Sequence, residues 1–405
     1  MRDVSKRNSN RLIVGSVTTQ LGNAVFDYVN QMLITQLFPK KFAFMSYYQS
    51  SESLISVVFN LFAGVVADAS NRKRMLIITD VLSGVVCLLS ILFLKSEAVF
   101  LGLIVANGLL RLLSTFNSPV YSAIIKDSID KTYIDNHYTR STPVKEVFKI
   151  IAPSIGVLVW KYMGLTGAYL FNALTFFISA YIENRIEVIR VHKAKQIRTL
   201  KIILQDMLEG FRYILKHHKI LLLLIMSSAI NFLLASYNLA IPYLNSYYKE
   251  TMDNYFGAIL IASSVGSISF SLLKNQFPTA FRNLTMYGSM IGVGLSLIFL
   301  TAINKLTTNP FVNLAPFIMF SGFLTLFNID FFSNVQKSVD SDYIGRVISV
   351  IFTIAIIFMP IGSLVFGRVI TLNNLMLSFG ITGMGIIIIS VVFRLIAIKL
   401  DKEKF

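Results

Sequence analysis

The chain has 405 residues, of which 55% are hydrophobic and 14% charged, against a usual charged share of about 25%. With a mean hydropathy of +0.66, it holds more apolar side chains than a soluble core can bury, which excludes disorder, a collagen-like fibre and a disulfide scaffold and calls for an apolar solvent. The net charge of +16, from 37 Lys and Arg against 21 Asp and Glu, would suggest nucleic acid in a soluble chain; here it reads as basic loops that hold membrane helices in place, and no nucleic-acid partner is expected.

Residues 1–11 are polar and basic. The apolar stretch after them is too long for a signal-peptide core and lacks a small-residue cleavage site, so it is expected to be an uncleaved first membrane helix. About 20 apolar residues cross a bilayer core. Twelve such stretches follow one another: 12–37, 44–67, 75–94, 98–118, 142–160, 165–184, 219–247, 253–273, 284–303, 311–334, 345–370 and 374–398. They are continuous rather than alternating, which excludes a β-barrel.

An even count puts both termini on one side of the membrane. Of the 37 basic residues, 27 fall on the side of the N-terminus, 7 on the other side, and Arg111, Lys145 and Lys149 lie within helices. That bias predicts cytoplasmic termini. The longest hydrophilic segment, 185–219, divides the chain into halves at 1–184 and 219–405 with a linker at 185–218. Within it, Ile203, Leu204, Met207, Leu208, Phe211 and Leu215 recur at helical spacing. Two readings stay open: an amphipathic helix on the inner membrane surface, or a linker helix packed on the bundle.

The halves carry a faint repeat. In the fifth stretch Arg140 precedes Pro153 and Gly156; in the eleventh Arg346 precedes Pro360 and Gly362. Kinked helices in paired positions build the moving, cavity-lining elements of transporters. Cys87 is a lone cysteine in an apolar run, so it forms no internal disulfide, and no metal cluster is visible. His137, His192, His217 and His218 all fall in inner loops on this reading. There is no phosphate-binding Gly-x4-Gly-Lys-Ser/Thr loop, no His-Glu-x-x-His and no catalytic triad, so neither an enzyme nor an ATP-driven pump is expected.

The loop after the second stretch reads Gly64-Val-Val-Ala-Asp68-Ala-Ser-Asn-Arg72-Lys73-Arg74. It resembles the signature loop of the major facilitator superfamily, Gly-x-x-x-Asp-Arg-x-Gly-Arg-Arg/Lys. Ala69 and Asn71 replace that pattern's arginine and second glycine. Ala152-Pro153-Ser-Ile-Gly156-Val157 resembles the antiporter motif Gly-Pro-x-x-Gly-Gly. Tyr255-Phe-Gly257 through Gly266, and Gly345-Arg346-Val347-Ile-Ser349 with Pro360, Gly362 and Gly367, are similar to the macrolide-efflux type of drug:proton antiporter. The resemblance implies an all-α fold of twelve transmembrane helices in two pseudo-symmetric sets of six. It also implies that Asp68 and the basic run steady one conformation from the inner rim, remote from substrate.

Charges inside a membrane are functional candidates. Asp27 lies ~22 Å into the first helix and Glu52 ~12 Å into the second from the outer side, by the helical rise per residue. Arg111 lies ~18 Å down the fourth helix, a depth ~10 Å from that of Asp27, so it is expected to act on Asp27 across a wet cavity without contact. It resembles the basic residue of the antiporter fourth helix. These three are the proton-coupling candidates, Asp27 first. Asp80, Glu146 and Asp330, near inner helix ends, read as structural ion-pair partners. Among the many aromatic residues, Tyr28, Phe116, Phe232, Tyr237, Tyr243, Phe327 and Phe331 are candidates for lining a substrate cavity, with Asn231 and Asn238 as polar handles.

The expected function is export of a hydrophobic or amphiphilic compound, of macrolide or multidrug type, in exchange for protons by alternating access. Two alternatives stand beside it. One is an exporter or flippase of an endogenous peptide, lipid-like or siderophore-like metabolite. The other is a non-transporting membrane partner protein. The expected setting is a bacterial plasma membrane, with a monomer, a lipid bilayer, protons and a small substrate as partners and no cofactor.

Overall fold

The computed structural model describes the chain except residues 1, 70, 95, 190–199, 253, 278–283, 308, 341–342 and 403–405. Among the described residues there are thirteen α-helices and no strand. In chain order they are α1 (Arg2–Leu37), α2 (Phe42–Ala69), α3 (Arg72–Ser90), α4 (Val99–Ser128), α5 (Ile134–Asn184), α6 (Leu200–Lys216) and α7 (His218–Ala240). Then come α8 (Leu244–Tyr247), α9 (Tyr255–Gln276), α10 (Met286–Leu306), α11 (Ala315–Ser338), α12 (Ile344–Val369) and α13 (Leu375–Lys402).

Nine stretches among the described residues are long and apolar enough to cross a membrane. The expected twelve exceed this by α1, α2 and the early part of α5. α1 is long enough at 36 residues, but Thr18, Thr19, Gln20, Asn23, Asp27, Asn30 and Gln31 dilute its hydropathy. α5 joins two helices at Gly164, whose backbone (φ 64°, ψ −166°) is not helical. A φ that positive suits only glycine, and the break falls between the fifth and sixth expected stretches.

The chain forms two compact units. The first comprises Met1–Ile34 and Leu54–Ile203, the second Thr35–Ser53 and Leu204–Phe405. In the first, α3 packs on both α4 and α5. A cluster of Leu12, Leu76, Val120, Ile124, Ile125, Ile129 and Ile186 packs together α1, the start of α3, the end of α4 and the residue Ile186 just after α5. α1 begins at Arg2, ten residues before the apolar stretch expected to start it. The reason is tertiary: Asn8 is fully buried and its side-chain amide donates to the Ser128 and Glu187 carbonyls, both at 2.8 Å. Residues with no apolar pattern are thereby held helical at the ends of α4 and α5.

In the second unit α7 lies against α12 and α13, α9 against α11, and α10 against α11 and α13. Small residues allow close approach at several of these contacts. A Cβ on Gly294 would come within 2.5 Å of the Gly383 carbonyl oxygen, and one on Gly383 within 2.5 Å of the Gly294 carbonyl oxygen. Residues 41–50 are tied into this unit. Tyr243 donates to the Lys41 carbonyl (3.1 Å), Gln49 to the Asn238 carbonyl (3.1 Å), and Ser50 to the Pro360 carbonyl (3.2 Å).

α6 combines the two readings of its sequence. Tyr213 and Ile214 are buried in the second unit. The Tyr213 hydroxyl donates to Asp340 (2.9 Å) and Glu209 pairs with Arg346 (3.1 Å). Leu208, Phe211 and Leu215 stay exposed. The helix is therefore docked on one face while its apolar stripe remains uncovered.

Candidate functional site: a polar cavity in the first unit

The helices of the first unit enclose a cavity of about 370 Å³. α1 contributes Ser16, Thr19, Gln20 and Asn23, one stripe at helical spacing. α3 contributes Thr79, Asp80 and Ser83; α4 contributes Ser114, Asn117, Ser118, Tyr121 and Ser122. α5 supplies Tyr138, Lys145, Phe176 and Glu183. So many hydroxyls, amides and carboxylates around one space, inside helices this apolar, single the cavity out as a functional candidate.

Asp80 is 2% exposed and Glu183 3%. The Asn117 amide donates to Asp80 Oδ1 and to Thr79 Oγ1, both at 3.1 Å. Asp80 Oδ2 and Glu183 Oε2 have no hydrogen-bond partner. Lys145 lies 4.7 Å from the centre of the Tyr121 ring. Asp80 was expected to sit in an ion pair; it instead accepts from an amide, with Glu183 close enough for the two charges to interact. Glu183 closes the last turn before Arg185 and reads, in sequence, as the end of a span. A carboxylate inside an apolar stretch was the available signal.

Asp27 lies further along α1, half-buried, and the charge of Arg111 acts on it. Glu52 is half-buried in the 35–53 segment and belongs to the second unit. Of the signature loop, the Asp68 side chain lies outside the described residues, and Gly64 is described only as helical backbone. Arg72 forms a two-pronged ion pair with Asp127 at 2.9 Å to each oxygen. Asn71 caps α3 by accepting from the Arg74 backbone, and Lys73 is half-buried. The Pro153 side chain is not described. Gly156 is buried against Tyr28, whose ring would meet an added Cβ at 3.0 Å. The side chains of Glu146 and Lys149 are also outside the described residues, and Asp330 pairs with Lys274.

The aromatic candidates are mostly committed to helix packing. Tyr28, Tyr237, Tyr243, Phe327 and Phe331 are all buried. Tyr237 stacks on Phe320 at 4.0 Å and Tyr243 on Phe42 at 3.8 Å. Phe327 and Phe331 are neighbours at 5.6 Å. Phe116 meets Phe59 edge-on and Phe232 meets Phe366. Asn231 donates to its own helix at Ser227, and Asn238 offers its carbonyl to Gln49. None of the nine lines the polar cavity. The second unit holds a cavity of about 630 Å³ lined in part by Lys219, the Lys274–Asp330 pair and Tyr287.

Two histidines depart from the expectation of loop placement: His218 opens α7, and His137 is on α5. His137 lies ahead of the apolar span, 1% exposed, with Nδ1 2.9 Å from the Ser9 hydroxyl. Burial, helped by the charges of Lys145 and Arg140, pushes its pKa down from 6.5 to about 4. The folded protein thus holds a neutral ring, while the unfolded chain takes up a proton near pH 6.5. Its contribution to stability is complete above pH 6.5 and is lost as pH falls towards 4. The melting temperature in detergent is expected to drop across that window less steeply in His137→Gln than in the parent; identical slopes would contradict the assignment.

The profile of the Major Facilitator Superfamily matches residues 12–363. The chain belongs to the major facilitator superfamily. It is therefore a multi-pass membrane transport protein rather than an enzyme. It is 24% identical to the Staphyloferrin A transporter of Staphylococcus aureus over 348 residues, 85% of each chain. Its fold is similar to that of the nucleoside transporter NupG (TM-score 0.76, 16% identity, 96% of this chain and 99% of that one). It is equally similar to that of a bacterial homologue of the iron transporter ferroportin (TM-score 0.75, 16% identity, 96% and 98%). At those identities the likeness concerns fold alone.

Proposed function

We propose that this transporter exports a small organic compound in exchange for protons, by alternating access of a twelve-helix bundle. The observation that carries this reading is the Asp27–Arg111 interaction, an acid and a base inside the first unit's helices, on the helix that also lines the polar cavity. Antiport requires a group whose protonation changes between the two accessible states, and a carboxylate with a nearby cation can make that change. Asp27 is the first candidate for that group and Glu52 the second. The twelve-helix frame adds α1, α2 and the part of α5 before Gly164 to the nine apolar spans. The 27-to-7 distribution of basic residues supports cytoplasmic termini in a bacterial plasma membrane.

For the cargo, a siderophore-like metabolite is favoured by the likeness to the Staphyloferrin A transporter and by the hydroxyl- and amide-rich cavity. Macrolide-type drugs are the second class, and the similar proteins described above lend them no support. The test uses inverted vesicles with an acidic lumen, offered staphyloferrin A or a macrolide. Gradient-driven uptake of the cargo is expected in the parent and is expected to fall to the level of protein-free vesicles in Asp27→Asn. Uptake that persists in Asp27→Asn and collapses in Glu52→Gln moves the role to Glu52; persistence in both overturns carboxylate coupling.

A further inference from the structure

The cavity of the second unit has no part in that scheme, and it occupies a place that the first unit fills. There, apolar residues from α1 (Leu12), the start of α3 (Leu76), the end of α4 (Ile124, Ile129) and the chain just after α5 (Ile186) close on one another. In the second unit the corresponding ends, taken in chain order, are the starts of α7 and α10 and the ends of α11 and α13. They surround about 630 Å³ of space instead. Packed interiors hold few voids larger than one water, whereas this volume is that of a small-molecule site.

The wall is two-faced. α11 presents Asp330, Asn334 and Ser338, one stripe at helical spacing, and α9 adds Lys274. α7 presents Lys219 with Leu222 and Leu223, and α13 adds Ala397 and Leu400. The charged side chains of the lining are Lys219, Lys274 and Asp330, which leave one net positive charge. Asp330 accepts one N–H of Lys274, and an ammonium has two more to give. The helix ends do not reverse that sign. The starts of α7 and α10 against the ends of α9, α11 and α13 amount to about half a negative charge, less than the lysine excess.

We propose that this cavity holds an anionic phospholipid, its phosphate on Lys219 and Lys274 and the start of its acyl chains along Leu222, Leu284, Ala397 and Leu400. Ammonium groups hold phosphate oxygens as point charges through short, charge-assisted hydrogen bonds. The apolar half of the wall selects a lipid over a free phosphate, which would leave that half facing water. The distribution of basic residues along the chain puts these helix ends at the cytoplasmic leaflet, where basic pockets between helices bind anionic head groups.

The test needs neither cargo nor a proton gradient, so its outcome is independent of the export reading. Melting of the purified protein in detergent is followed against phosphatidylglycerol, phosphatidylcholine of the same acyl chains, and glycerol 3-phosphate at equal ionic strength. Phosphatidylglycerol is expected to raise the midpoint with a saturating dose dependence, and the other two to leave it unchanged. Lys219→Gln and Lys274→Gln are each expected to raise the half-saturating concentration about fivefold, the effect of one basic residue at an anionic lipid. Asp330→Asn, which leaves the lining more positive, is expected to lower it. Lys305→Gln, at the far end of α10, is expected to leave it unchanged. A shift with glycerol 3-phosphate as large as with the lipid overturns the choice of lipid and gives the site to a soluble phosphate. Equal shifts with the two phospholipids, or a phosphatidylglycerol response unaltered in both lysine variants, overturns the site. Lys274→Gln strips Asp330 of its partner; should that variant fail to fold, Lys219→Gln decides alone, and an unaltered half-saturating concentration overturns the proposal.

Discussion

Arg72→Ala is expected to destabilise the protein by about 3 kcal/mol or more, the usual cost of removing one partner from a buried ion pair. Arg72 and Asp127 side chains are 15% and 6% exposed, and the fork contacts both oxygens at 2.9 Å. Each charge also sits at the wrong end of its helix. Arg72 opens α3, where the dipole opposes a cation, and Asp127 closes α4, where it opposes an anion. The pair cancels both penalties at once. Take away the guanidinium and Asp127 remains buried at the negative end of a helix. Arg72→Lys is expected to be intermediate, since a point charge cannot reproduce the fork. Arg72→Met with Asp127→Leu is expected to recover most of the loss. Melting temperatures in one detergent check the order; a double variant no more stable than Arg72→Ala would show that the charges matter beyond their mutual pairing.

The second large effect concerns the crossing of α10 and α13. Gly294→Ile is expected to lower the melting temperature sharply and to reduce folded yield. Even an alanine Cβ would be driven to 2.5 Å from the Gly383 carbonyl oxygen and 2.6 Å from Ile387, and no side-chain rotation relieves a clash with backbone. Overpacking of this kind costs about 1–3 kcal/mol, more for a branched side chain. Close backbone contact through small residues is a main source of helix association in a membrane. The two glycines face each other, so their effects should not add. Once Gly294→Ala has parted the helices, Gly383→Ala is expected to cost less than it does alone. Additive losses in thermal unfolding would instead place the two contacts in separate environments.

Much of the helical frame was legible because apolar runs of membrane length have few other uses. The break at Gly164 could be placed for the same reason, between two runs of adequate length. What escaped was set by pairing between helices. The helical start of α1 depends on Asn8 meeting backbone carbonyls 120 and 179 residues away, and nothing local announces it. Arg72 stood out in its motif, but Asp127 did not, since its importance comes from facing Arg72. Asp80 stands out in the sequence, but its neighbours Asn117 and Glu183 come from other helices and nothing local announces them. The polar stripe Ser16, Thr19, Gln20 and Asn23 is periodic enough to have pointed at a cavity face. Side-chain type suggests a greasy lining for the aromatic candidates, and in this structure several of their rings pack against neighbours within their own unit.

The grouping of residues 35–53 with the second unit bears on how the polypeptide is threaded. The boundaries at 34/35, 53/54 and 203/204 mean that the backbone passes between the units three times. The hydrophilic linker is only one of these crossings. Cutting the chain within 190–199 would therefore leave residues 35–53 of the amino-terminal fragment still belonging to the second unit. An amino-terminal fragment expressed alone would be incomplete, since its 35–53 segment would lack the carbonyls of Asn238 and Pro360 that Gln49 and Ser50 use.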